Sequence, residues 1–168
     1  MTRLAEAVAR RLGWSEERLV SLRVGGPLHD IGKLAVSDDV LSKEGGLDEE
    51  EFAQIREHPR VGARILLRFA AYRQALPYVL YHHERWDGNG YPTGKAGKEI
   101  PLEARLLAVA DAFDAMTSDR PYRRALTHGE ALAEVERCAG TQFDPEIARI
   151  FLEVFAEEKQ MPRAAAAF

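Results

Sequence analysis

Apolar residues recur along this chain at the spacing of helices. Leu4, Val8 and Leu12 repeat every four residues, the pattern of one buried helical face, and Gly13 ends it. Ser15 suits the N-cap of a second helix, with Glu16 and Glu17 in the first turn matching the positive end of the dipole. That helix carries Leu19 and Leu22 and delivers His29-Asp30 near its end. Gly25-Gly26-Pro27 inside it costs about 1 kcal/mol per glycine and more for proline, so a short break or close packing is expected there.

Further along, Gly45-Gly46 marks a loop, and Asp48 with Glu51 forms a capping box opening a helix to His58. Pro59 is placed to begin a separate helix over 61–69. Another is expected around 77–84, carrying His82 and His83. Four glycines and two prolines in the 16 residues 86–101 make that stretch a loop. The segment 102–117 is apolar on too many sides to be a surface helix. Thr127 with Glu130 caps a helix to about Cys138, and Asp144-Pro145 opens the last, through Phe155. No segment alternates with a period of two, and no internal repeat is found. The expected architecture is all-α, about seven helices, in a single domain over 1–158 with a loose tail over 159–168.

Composition narrows the function classes. At 168 residues the chain is long enough for one domain with its own core. A net charge of −4 excludes a general basic attraction to DNA or anionic membranes, while a local basic site remains compatible. Cys138 has no partner for an internal disulfide and offers no thiolate metal framework. No apolar run approaches the roughly 20 residues needed to cross a bilayer, and no signal-peptide pattern opens the chain. The expected location is the cytoplasm, without membrane insertion.

Chemistry gathers at four places: His29-Asp30, His58, His82-His83 and Asp111. Imidazoles and carboxylates from separate helices are what a borderline divalent metal requires. Adjacent helical residues point about 100° apart. One metal therefore takes both His29 and Asp30 only at a helix end, or Asp30 bridges two metals; the same holds for His82 and His83. An ionised Asp111 in an apolar helix is costly unless paired or metal-bound. Taken singly, His58 beside Pro59 reads as a structural or surface histidine, Asp111 as an arginine partner, and His128 as an exposed residue after its cap. Together they favour a metal-dependent hydrolase.

These residues sit in longer motifs: His29-Asp30-Ile31-Gly32-Lys33, His58-Pro59, and the run from His82-His83-Glu84 to Gly90-Tyr91-Pro92. Ala110-Asp111-Ala112-Phe113-Asp114-Ala115-Met116-Thr117 and Ser118-Asp119-Arg120-Pro121-Tyr122-Arg123 follow. So arranged, the chain resembles the HD-GYP family, a branch of the HD superfamily of metal-dependent phosphohydrolases, from about Arg3 to Phe155. The His-His to Gly-Tyr-Pro run is the specific part, since other HD branches lack it. The resemblance implies an HD-type helical bundle with a Gly/Pro-rich loop at Gly-Tyr-Pro. It implies hydrolysis of cyclic di-GMP to the linear dinucleotide and on to GMP. Carried over by motif, His29, Asp30, His58, His82, His83 and Asp111 would be metal ligands, with Asp30 bridging. Lys33 and Arg120 would hold the phosphate, with Tyr122 close by, so that Asp30 and Lys33 are the expected catalytic pair.

The expected cofactors are two divalent ions, iron or manganese before zinc or nickel. Two ions would form a nucleophilic bridging hydroxide at neutral pH and neutralise the phosphodiester, with Lys33 as a point charge and Arg120 gripping two oxygens. The family usually has a further histidine ligand upstream of the segment matched from Arg3. Without it a third metal is not expected, and one of the two remaining sites would be weaker. Two other readings stand beside the enzyme. One is a cyclic-di-GMP-sensing or docking module with an incomplete site, meeting GGDEF-type domains through the Gly-Tyr-Pro loop. The other is a phosphohydrolase of another nucleotide.

Overall fold

The computed structural model describes residues 1–43, 45–119 and 124–160. Among these the fold is all-helical: α1 (Thr2–Arg11), α2 (Glu16–Leu28), α3 (Asp38–Leu41), α4 (Glu49–Leu66), α5 (Leu76–Tyr81), α6 (Leu102–Thr117), α7 (His128–Arg137) and α8 (Pro145–Gln160). Short 3-10 turns occupy Ile31–Ala35, Ala70–Ala75 and Gly97–Glu99. The only extended pairing among the described residues is an isolated bridge between Ala139 and Phe143.

Local capping accounts for the helix starts. Ser15 accepts from the Arg18 backbone, and Asp48/Glu51 and Thr127/Glu130 both close reciprocal capping boxes. Buried Asp144 divides its carboxylate: Oδ1 accepts from the Glu146 backbone at 2.9 Å, and Oδ2 from Arg105 on α6 at 2.6 Å. That ion pair ties the start of α8 to the central helix. The last helix reaches Gln160, past the end expected at Phe155, and the remainder of the expected tail, 161–168, lies outside the described residues.

One expectation changes, and one open choice is decided. The segments read as separate helices on either side of Pro59 form one helix, α4. A proline removes the N–H that would bond the carbonyl four residues back, here that of Ile55. The His58 ring Nδ1 takes that carbonyl instead, at 2.6 Å, so the helix continues with its acceptor satisfied. The Gly25-Gly26-Pro27 stretch likewise stays helical within α2. Close packing is the reason: a Cβ at Gly25 would collide with the ring of fully buried Tyr78 on α5.

Apolar faces of α1, α2, α5, α7 and α8 close around α6, whose Ala104, Leu106, Leu107, Val109, Ala110 and Phe113 are all buried. The apolar character of 102–117 is thus that of a helix inside the bundle. The turn Ile31–Ala35 packs on α4 so tightly that a Cβ at Gly32 would overlap the His58 carbonyl and the Gly62 backbone nitrogen. That contact fixes Asp30 and Lys33 against the helix bearing His58.

Candidate metal centre and substrate cavity

Three histidines reach the site by one local device. His29, His58 and His82 each direct Nδ1 to a backbone carbonyl three residues back: Gly26 at 2.6 Å, Ile55 at 2.6 Å and Val79 at 3.0 Å. A carbonyl only accepts, so Nδ1 carries the proton, and in a neutral ring Nε2 is left with its lone pair. All three Nε2 atoms point at Asp30. His58 and His82 lie 3.2 and 3.8 Å from Oδ1, and His29 lies 3.4 Å from Oδ2.

Asp111, from the middle of α6, approaches His29 Nε2 at 3.5 Å. His83 completes the group, its ring centroid 4.0 Å from that of His82 and 5.0 Å from that of His58. Asp30, His58, His82 and His83 offer ligand atoms that all lie within 4.8 Å of one another. The six ligands expected from sequence therefore converge from the segments just past α2 and α5 and from within α4 and α6. Asp30 is shared: Oδ1 faces His58 and His82, while Oδ2 faces His29 and accepts from Lys33 Nζ at 2.6 Å.

The donor set fits a cation. His58 and His82 Nε2 are 3.3 Å apart, each the ring nitrogen left over once Nδ1 has met its carbonyl. Asp30 Oδ1 is buried without a hydrogen-bond partner. Lone pairs facing one another in a buried space are unfavourable unless positive charge lies between them. Burial pushes His82 down and holds His83 at about 2, the neighbouring imidazoles adding to the effect, so both are kept in the neutral form that ligates. At Asp30 burial works upward, yet neighbouring side chains, Lys33 among them with Nζ at 2.6 Å, outweigh it and hold the carboxyl far below its ordinary range. His29 is opposed by burial but raised on balance by the Asp111 and Asp30 carboxylates, so this half of the site also favours positive charge.

A cavity of about 460 Å³ opens over the centre, lined among others by Asp30, Lys33, Arg56, His83, Tyr91 and Asp111. Its size suits a small ligand. The Gly-Tyr-Pro loop forms one wall. Tyr91 stacks on His83 with centroids 4.7 Å apart, and its backbone N–H donates to the His83 carbonyl at 3.2 Å. Buried Glu84 accepts from the Thr93 backbone and hydroxyl at 2.6 and 2.7 Å, pinning the loop to the paired histidines. A second cavity of about 550 Å³, bordered by Val40, Leu41 and Ile55, shares Lys33, His83 and Tyr91 with the first.

Of the residues nominated from sequence, Lys33 stands on the cavity wall, half-exposed, while Arg120 and Tyr122 lie outside the described residues. His128 is exposed as expected and stacks on Phe113. Arg56 was not nominated; amid the charges of α4 it looks like part of a solvated face, and only the fold turns it to the cavity. No described helix is long and apolar enough to cross a membrane.

Known proteins share this framework. The cyclic di-GMP phosphodiesterase response regulator RpfG of Xanthomonas campestris pv. campestris is 44% identical over 165 residues, 96% of this chain and 43% of that protein. A cyclic di-GMP phosphodiesterase of Thermotoga maritima is 40% identical over 156 residues, 92% of this chain and 42% of that protein. The chain thus spans less than half the length of these relatives. Its fold is similar to the crystal structure of a cyclic GMP-AMP-specific phosphodiesterase of V. cholerae, with a TM-score of 0.72 at 20% identity, covering 94% of this chain and 43% of that one. The HD domain family matches residues 1–147, a span that takes in every helix bearing a donor of the buried centre, and the chain belongs to that family.

Proposed function

We propose that this chain is a metal-dependent phosphodiesterase of the HD-GYP type, hydrolysing cyclic di-GMP to the linear dinucleotide and on to GMP. The observation that carries this reading is the division of Asp30, one oxygen among His58 and His82, the other beside His29 and Lys33. Asp30, His58, His82 and His83 would hold one divalent ion, and Asp30, His29 and Asp111 the other. The imidazole-rich set suits iron or manganese and disfavours calcium. When bound, such ions supply Lewis acidity on the phosphoryl oxygens and an acidified water.

The chain's own groups do the rest. Carbonyl anchors hold the imidazoles in the tautomer that presents Nε2. Lys33 commits one of its three donors to Asp30 and keeps two for a non-bridging phosphate oxygen. Tyr91 and the pinned loop shield one side of His83 from water. Arg120 and Tyr122 are assigned to the phosphate by motif. The outer part of the loop, where Asn89, Thr93 and Gly94 are exposed, is the face proposed for GGDEF-type partners, because Tyr91 is turned inward.

The deciding experiment loads the purified protein anaerobically with iron(II) or manganese(II) and supplies cyclic di-GMP and 3′3′-cyclic GMP-AMP in parallel. Formation of the linear dinucleotide from cyclic di-GMP is the expected result. Faster turnover of the mixed dinucleotide would reassign the substrate. No turnover of either, with metal content verified, would reject the enzyme in favour of a binding module.

A further inference from the structure

Arg56 stands on α4 at the wall of the cavity over the histidine–carboxylate centre, beside aromatic faces. Its guanidinium lies 4.9 Å over the ring of Phe52, one turn earlier on the helix, and 5.4 Å over that of Tyr91. Among the described residues no carboxylate pairs with it. The two other cations lining this cavity differ: Lys33 bonds Asp30 at 2.6 Å, and Arg85 bonds Asp87 at 2.7 and 3.0 Å. An aromatic face steadies a guanidinium while leaving its N–H edge open, whereas a carboxylate consumes that edge. Among the described residues, Arg56 is therefore the cation of this cavity whose donor edge is not taken by a carboxylate.

Its position has a consequence for substrate. Tyr91 neighbours both groups, stacking on the His83 imidazole at 4.7 Å and lying 5.4 Å from the Arg56 guanidinium. A phosphate at Asp30 and Lys33 thus sits in a cavity that Arg56 also lines. A cyclic dinucleotide carries a second phosphate, joined to the first through a ribose on each side. A planar fork of N–H donors is well matched to two oxygens of such a group.

We propose that Arg56 binds the second, uncleaved phosphate of the cyclic dinucleotide and so sets the register in which the first is presented. This rests on the phosphodiesterase reading above. Its role is binding, with no part in bond cleavage.

The test compares wild type, Arg56→Ala and Arg56→Lys, metal-loaded, on cyclic di-GMP and on bis(4-nitrophenyl) phosphate, which has a single phosphate. Loss of a charge-assisted contact should raise KM for cyclic di-GMP about tenfold or more, with kcat changed by less than about threefold. Arg56→Lys should recover part of the loss, keeping charge without the fork. The effect on the single-phosphate ester should be smaller by about the same factor. Equal losses on both esters would assign Arg56 a structural role and overturn the proposal, as would an unchanged KM. Wild-type turnover of cyclic di-GMP with insensitive Arg56 variants sinks this inference alone. A wild type that cleaves only the single-phosphate ester sinks the cyclic-dinucleotide reading and this inference together.

Discussion

His58 and His82 meet Nε2 to Nε2 at 3.3 Å, each ring turned there because its other nitrogen is bonded to a carbonyl of its own helix. With Asp30 Oδ1 beside them, this is a contact between acceptors that positive charge resolves. Since Asp30 serves both halves of the centre, Asp30→Ala should lower bound metal more than His82→Ala, which removes one ligand from one half. Elemental analysis of the purified variants checks this; equal metal content in wild type and Asp30→Ala would refute a shared carboxylate. Chelation should likewise lower the thermal midpoint, because a cation bound only by the folded state stabilises it by mass action.

Lys33 touches Asp30, but its ammonium has donors only and no lone pair to offer a metal. Lys33→Ala should keep the fold and metal content near those of wild type while turnover falls on the order of 100-fold, the usual cost of one transition-state donor. A proportional loss of metal would show that the ammonium acts by holding Asp30 in place.

Two glycine substitutions separate packing from site geometry. Gly32→Ala forces the turn carrying Asp30 and Lys33 off the His58 carbonyl, so both stability and metal content should fall. Gly25→Ala strains α2 against Tyr78, and the chain neighbours of this pair, Gly26 and Val79, anchor His29 and His82. It should therefore cost stability of about 1–3 kcal/mol with a smaller loss of metal than Gly32→Ala. Melting curves with metal analysis distinguish them; identical metal loss in both would mean the centre responds to general loosening.

Tyr91 offers a further test of the loop. Its ring, stacked on His83, is the part in contact, so Tyr91→Phe should behave as wild type. Tyr91→Ala should reduce turnover by about tenfold, in line with an aromatic contact of roughly 1 kcal/mol plus opened access to water. Equal activity of the alanine variant would confine the loop to docking.

Much of this protein was legible along the chain because it rests on interactions spanning a few residues. Helical periodicity, the capping boxes at Asp48/Glu51 and Thr127/Glu130, and the adjacency of His29-Asp30 and His82-His83 are local facts. Residue type alone limits what a buried histidine–carboxylate set can bind. Tertiary structure decided what depends on packing between helices. Pro59 reads locally as a helix start, yet α4 runs through it because His58 satisfies the freed carbonyl while pointing into a site built by three other helices. The division of Asp30 between two sets of donors exists only once the turn at Gly32 is pressed against α4. Arg56 is one charge among many in its own helix, and it gains its meaning from Tyr91, brought beside it from a loop distant in sequence. Local propensity acts over one or two turns of chain, whereas a catalytic cavity is a relation among surfaces that meet only when the bundle closes.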